Sequence, residues 1–74
     1  MNKCSKDYGN FIKDRRSKMG LTQEEIAKRL GISQVAYGRY ELGTREPNLE
    51  LIFKIADVLG FQPGEFFDTY ERSE

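Results

Sequence analysis

Leu21-Thr22-Gln23-Glu24-Glu25-Ile26 and Ile32-Ser33-Gln34-Val35-Ala36-Tyr37 open in the same order: apolar, hydroxyl, glutamine. Thr22 and Ser33 suit the N-cap position, where a side-chain oxygen accepts one of the orphan N–H groups of a first helical turn. Apolar pairs bracket each cap as a hydrophobic staple, Leu21 with Ile26 and Ile32 with Tyr37. Glu25 stands three residues after Thr22 and completes a capping box. Only Leu30-Gly31-Ile32-Ser33 separates the two segments, so the second helix must turn sharply away from the first. The pattern predicts helices over 22–30 and 33–42.

Working outward, the rest of the chain also reads as helix. A first helix over 6–19 carries Tyr8, Phe11, Ile12 and Met19 on one stripe and stops at Gly20. Gly31 and Gly43 stop the second and third. Asn48 caps a fourth over 48–59 that ends before Gly60, and Pro63 suits the first turn of a fifth over 63–68, through Phe66 and Phe67. The fold class is therefore all-α, and 74 residues suit a single domain, 1–74. Ile26, Ala27 and Leu30 on helix two, Tyr37 and Tyr40 on helix three, and Leu49, Ile52, Ile55, Ala56 and Leu59 on helix four are the expected core, with Phe66. Ala27 is small enough to let helix three cross close to helix two.

Composition narrows the function. The chain has one cysteine, Cys4, and no histidine, so neither an internal disulfide nor a His/Cys metal site is expected, and the reducing cytoplasm is the expected compartment. No apolar run approaches the ~20 residues of a membrane span, and the N-terminus lacks the apolar core of a signal peptide. No catalytic constellation, cofactor loop or small-molecule effector site is evident, so an enzyme is not expected. The formal net charge is zero, yet residues 1–45 carry +5 and residues 46–74 carry −5. A basic end of this kind faces nucleic acid, although ordinary solvated charge gives the same asymmetry. Two short helices around a glycine turn, each with a glutamine in its first turn, fit a helix-turn-helix reader of DNA.

With these residues in place, 20–60 resembles the Cro/phage-repressor family of helix-turn-helix proteins, also called the XRE family. The likeness rests on Leu21-Thr22-Gln23-Glu24-Glu25-Ile26-Ala27, on Gly31-Ile32-Ser33-Gln34, on Arg39-Tyr40-Glu41 followed by Gly43, Arg45 and Pro47, and on Ile55-Ala56 with Leu59-Gly60. Tyr37 and Tyr40 depart from the aliphatic or tryptophan usual there, and their hydroxyls need a polar partner or water. The resemblance implies a compact five-helix lambda-repressor-like domain that binds double-stranded DNA through the major groove. It implies a phosphate contact for Gln23 at a helix N-terminus, where free N–H groups favour an anion, and an adenine contact for Gln34. It also implies a structural salt bridge between Arg16 and Glu41.

The residues themselves extend this list. Val35 lies away from the Tyr37/Tyr40 stripe and would pack on a thymine methyl, or be an incidental surface residue. Arg39 reaches a guanine edge or a phosphate. Ser33, Thr44, Arg45 and the backbone N–H of Gly43 are expected at phosphates, with Lys3, Lys6 and Lys13 adding charge through the N-terminus. Gly38 leaves the helix face bare for close approach to the groove. Family members pair as two-fold dimers, and Leu51, Val58, Phe61, Phe67 and Tyr70 are the expected homodimer seam. The expected function is a sequence-specific transcription regulator, a repressor on a palindromic operator. An antitoxin-like or adaptor protein, docking another protein on the C-terminal aromatics, is the alternative.

Overall fold

The computed structural model of the chain describes residues 3–65. Four helices follow one another: α1 (Lys3–Lys18), α2 (Gln23–Leu30), α3 (Gln34–Leu42) and α4 (Leu49–Leu59). A further helical turn begins at 63–65, where the described residues end. The fold is all-α. Phe66, Phe67 and Tyr70 lie outside the described residues.

The caps form as their chemistry demands. Thr22 Oγ1 accepts from Glu25 N–H at 3.0 Å while Glu25 Oε1 accepts from Thr22 N–H at 2.9 Å, a closed capping box. Ser33 Oγ accepts from Ala36 N–H at 3.1 Å, and Asn48 Oδ1 from Leu51 N–H at 2.8 Å. Gly31, Gly43 and Gly60 then end α2, α3 and α4 in the left-handed region.

Ile12 of α1, Ile26, Ala27 and Leu30 of α2, Tyr37 and Tyr40 of α3, Ile55, Ala56 and Leu59 of α4, and Phe61 form one buried core. α1 packs on α3 and α4, and α2 packs on α3 and α4, so α3 is propped from two sides. Gly9 is what lets α1 lie flush on the exit of α3. A Cβ at this buried position would overlap the backbone carbonyl oxygens of Tyr40 and Glu41. Gly43, at φ 77°, does the same from the other side, because a Cβ there would press into the Lys6 backbone at 2.8–3.0 Å.

Four sequence expectations need correction. α1 starts at Lys3 rather than Lys6, and its early turn is anchored where the buried Ser5 hydroxyl donates to the Glu46 carboxylate of the α3–α4 loop. Met19 falls past the end of α1, in a turn whose N–H groups bond back to Arg15 and Arg16 carbonyls, and its side chain is exposed. Leu49 is exposed too: it stands on the flank of α4, one turn before Phe53, which is also exposed, and Ile52 is only half-buried. Phe61, expected at a dimer seam, is core: its ring meets Phe11 edge-on with centroids 4.9 Å apart. The Arg15 guanidinium lies 5.3 Å from the Phe11 centroid and 5.6 Å from that of Phe61, and pairs with Glu65 at 2.6 Å. Buried to 7% exposure under Phe11 and Arg15, the Phe61 ring has little surface to offer a partner.

Candidate nucleic-acid interface

α3 is built the wrong way round for an ordinary surface helix. Its inner side buries Tyr37, Tyr40 and the carboxylate of Glu41, whose side chain is 3% exposed. Its outer side presents Gln34, Val35 and Arg39, and ends with Leu42; Val35 and Leu42 are 66% and 69% exposed.

The inner side is held through Glu41. Arg16 Nε donates to Glu41 Oε2 at 2.6 Å and Arg16 Nη2 to Oε1 at 3.2 Å, a two-point pair. Arg16 Nη1 donates to the Leu21 carbonyl at 2.8 Å, and Gln23 Nε2 donates to Glu41 Oε1 at 2.9 Å. One carboxylate therefore joins α1, the first residue of α2 and the last turn of α3. Burial alone would push the Glu41 carboxyl up, but the Arg16 guanidinium, the neighbouring Tyr37 hydroxyl and the Gln23 amide outweigh it and hold it below the usual carboxylate range. The Arg16 guanidinium is correspondingly raised, first by its bond to Glu41. The buried Tyr37 hydroxyl feels this charge without reaching ordinary hydrogen-bond geometry, and burial pushes its ionisation upward. A pair this enclosed is strongly destabilising when one side is removed, by about 3–5 kcal/mol.

The outer side is held by nothing. Among the described residues, neither the Gln34 nor the Arg39 side chain makes an ion pair or a side-chain hydrogen bond, and both are exposed, as is Val35. Ser33 is exposed at the start of α3, its oxygen accepting from Ala36 and its proton left to donate. Gln23 is half-buried; one amide N–H goes to Glu41, and the second is left over. Arg45 is exposed in the loop after α3.

Two phosphate expectations change here. The Gly43 N–H is buried and bonds to the Arg39 and Tyr40 carbonyls as the helix cap, so it has no capacity for an outside anion. The Thr44 hydroxyl donates to the Arg39 carbonyl at 3.4 Å, which leaves its oxygen outward rather than its proton. At the expected dimer seam, Leu51 and Val58 are half-buried against the core, and the exposed apolar pair on α4 is instead Leu49 and Phe53. Sequence reasoning missed Gly9, whose signal was an isolated glycine inside an otherwise regular helix beside Tyr8 and Phe11. It also missed that Gln23 serves Glu41, since nothing in the spacing joins residues 23 and 41.

A helix-turn-helix family profile matches residues 12–66. The chain belongs to the Cro/phage-repressor (XRE) type of this family. It is 38% identical over 53 residues to the SPbeta prophage-derived HTH-type transcriptional regulator YonR of Bacillus subtilis (strain 168), covering 72% of this chain and 49% of YonR. It is 34% identical over 66 residues to the cryptic phage CTXphi transcriptional repressor RstR of Vibrio cholerae, covering 89% of this chain and 60% of RstR. Both are named as regulators of transcription rather than as enzymes. The chain thus spans about half the length of YonR. Among solved structures, the P22 c2 repressor in complex with a synthetic operator superposes with a TM-score of 0.75 at 30% identity, covering 80% of this chain and 89% of that one. No described helix is long and apolar enough to cross a membrane.

Proposed function

We propose that this chain is a sequence-specific DNA-binding transcription regulator, a repressor that acts in the cytoplasm as a homodimer on a palindromic operator. The observation that carries the reading is the inverted α3: an acid and two tyrosines inside, and outside Val35, Leu42 and a Gln34 and Arg39 that have no side-chain partner among the described residues. Water gives no reason to display that outer side on a rigid rod. A major groove does, because bidentate amides read adenine, arginine reads guanine and an apolar side chain packs on a thymine methyl. The P22 c2 repressor and RstR, both similar to this chain, support repression.

In this reading α3 lies in the groove, with Gln34, Val35 and Arg39 toward base edges. Gln23, at the N-terminus of α2, uses its second amide N–H and the free helix-start N–H groups on a phosphate. The Ser33 hydroxyl and Arg45 contact backbone phosphates on either side, with Thr44 between them a weaker contributor. A second copy packs on Leu49 and Phe53, and the two-fold sets two α3 helices about one DNA turn, ~34 Å, apart.

Selection from a randomised duplex pool followed by sedimentation of the complex tests both halves. The expected result is an enriched inverted repeat with two chains bound, and Phe53→Asp returning the free protein to a monomer with weaker operator binding. Absence of any enriched sequence would overturn base reading. An enriched single half-site bound by one chain would overturn the dimer alone.

A further inference from the structure

A shallow depression of about 190 Å³ opens between α1 and α3 beside the proposed reading face, lined by Lys6, Asn10, Lys13, Gln23, Glu41 and Leu42. Its α1 wall is a stripe: Lys6, Asn10 and Lys13 are spaced i, i+4, i+7 and so stand above one another on one face. All three are exposed, and neither lysine is in an ion pair among the described residues. Its far wall is Leu42, which lies seven residues after Val35 and so shares the outer side of α3. The depression is thus continuous with that side. Its floor holds Glu41, but this carboxylate is already met by two Arg16 nitrogens and the Gln23 amide, so its charge is cancelled where it stands. What faces outward is two ammonium groups and an amide. The first part of the Lys6 side chain runs beside the end of α3, where a Cβ on Gly43 would meet its Cγ at 2.9 Å.

We infer that this depression seats a phosphodiester group of the DNA backbone, making α1 a second, sequence-independent contact ridge alongside α3. The inference rests on the DNA-reading function proposed above and adds a site to it. The chemistry is that of a single tetrahedral anion: Lys6 and Lys13 supply point charges and the Asn10 amide a directed donor, while the spare Gln23 N–H stays with the phosphate at the start of α2. The lysines act from a packed helix surface here, not from an N-terminal arm.

The test is fluorescence anisotropy of a labelled duplex of random sequence, two helical turns long, and of a selected operator, across a salt series. Neutralising one phosphate contributes a slope of about −0.9 in log K against log salt. The Lys6→Ala/Lys13→Ala double variant should therefore shallow the slope by about 0.9 and weaken both duplexes alike, by roughly three- to tenfold at moderate salt. Asn10→Asp should weaken both while leaving the thermal midpoint unchanged or raised, because the new carboxylate stands one turn from Lys6 and three residues from Lys13. Lys54→Ala, on α4, should leave the slope alone. A wild-type slope in the double variant, wild-type affinity in Asn10→Asp, or an equal loss in Lys54→Ala would each overturn the phosphate site while leaving base reading intact. Failure of the wild-type chain to bind either duplex would overturn both.

Discussion

Helices α2 and α3 are neighbours of nearly equal length and opposite design. α2 buries Ile26, Ala27 and Leu30 and turns Glu24, Glu25, Lys28 and Arg29 to solvent, as hydrophobic burial alone would arrange it. α3 buries a carboxylate and leaves Val35 and Leu42 outside. The first helix answers one demand, to hold a core. The second answers two: its inner side is held by two buried tyrosines together with an ion pair, and its outer side must stay open. With two tyrosines and the Arg16–Glu41 pair fixing the inner side, Val35 and Leu42 are left to face away.

The contrast is broken most severely at Glu41. Glu41→Ala leaves the Arg16 guanidinium largely enclosed without its anion, and the expected loss is about 3–5 kcal/mol, read as a large fall in thermal midpoint. An unchanged midpoint would mean that α3 is held by its tyrosines alone. Acid probes the same bond more gently. Because the folded Glu41 carboxyl is held below its ordinary value of 4.5, its contribution is complete above that pH and drains away as the pH falls through the lower folded value. Stability should be flat from pH 7 to about 5 and decline below, and Glu41→Gln should flatten that decline while lowering the plateau. An acid limb as steep in Glu41→Gln as in wild type would assign the loss to other carboxylates.

The outer side should respond in a different currency. Gln34→Ala is expected to cost about 1–3 kcal/mol of binding on the selected operator and to relax discrimination at one base pair, with no change in thermal midpoint. Equal losses on operator and random duplex would remove its reading role. The smallest effect sharpens the comparison furthest. A Cβ at Gly38 would sit 3.7 Å from the Gln23 amide oxygen, an ordinary contact, so Gly38→Ala should fold and gain about 0.5–1 kcal/mol from helix propensity. If α3 approaches the groove as proposed, operator affinity falls at the same time. Stability and binding moving together would place Gly38 outside the interface.

Much of this was legible in the chain itself, and the legible parts share a cause. Thr22, Ser33, Asn48 and the stop glycines act on backbone groups within four residues, so their roles are local and readable by spacing. The all-α class and the positions of α2 and α3 follow from them. What escaped was tertiary. Nothing near residue 61 in the sequence says that Phe11 and Arg15 will cover Phe61. Nothing near residue 43 says that Lys6 will lie against it, although the use of its N–H on the Arg39 and Tyr40 carbonyls follows from the local helix stop. Leu49 looked like core because a cap and an apolar residue resemble a buried first turn, yet the flank it stands on meets no neighbouring helix among the described residues.

Gly9 carries a consequence for how such domains can diverge. Because α1 rests directly on peptide carbonyls of α3 at that point, any methyl introduced there becomes a wedge at the pivot between the two rods. Because the carbonyls it would strike belong to Tyr40 and to Glu41, the acid that Arg16 holds, such a wedge would lift α3 at the very turn where the ion pair fastens it.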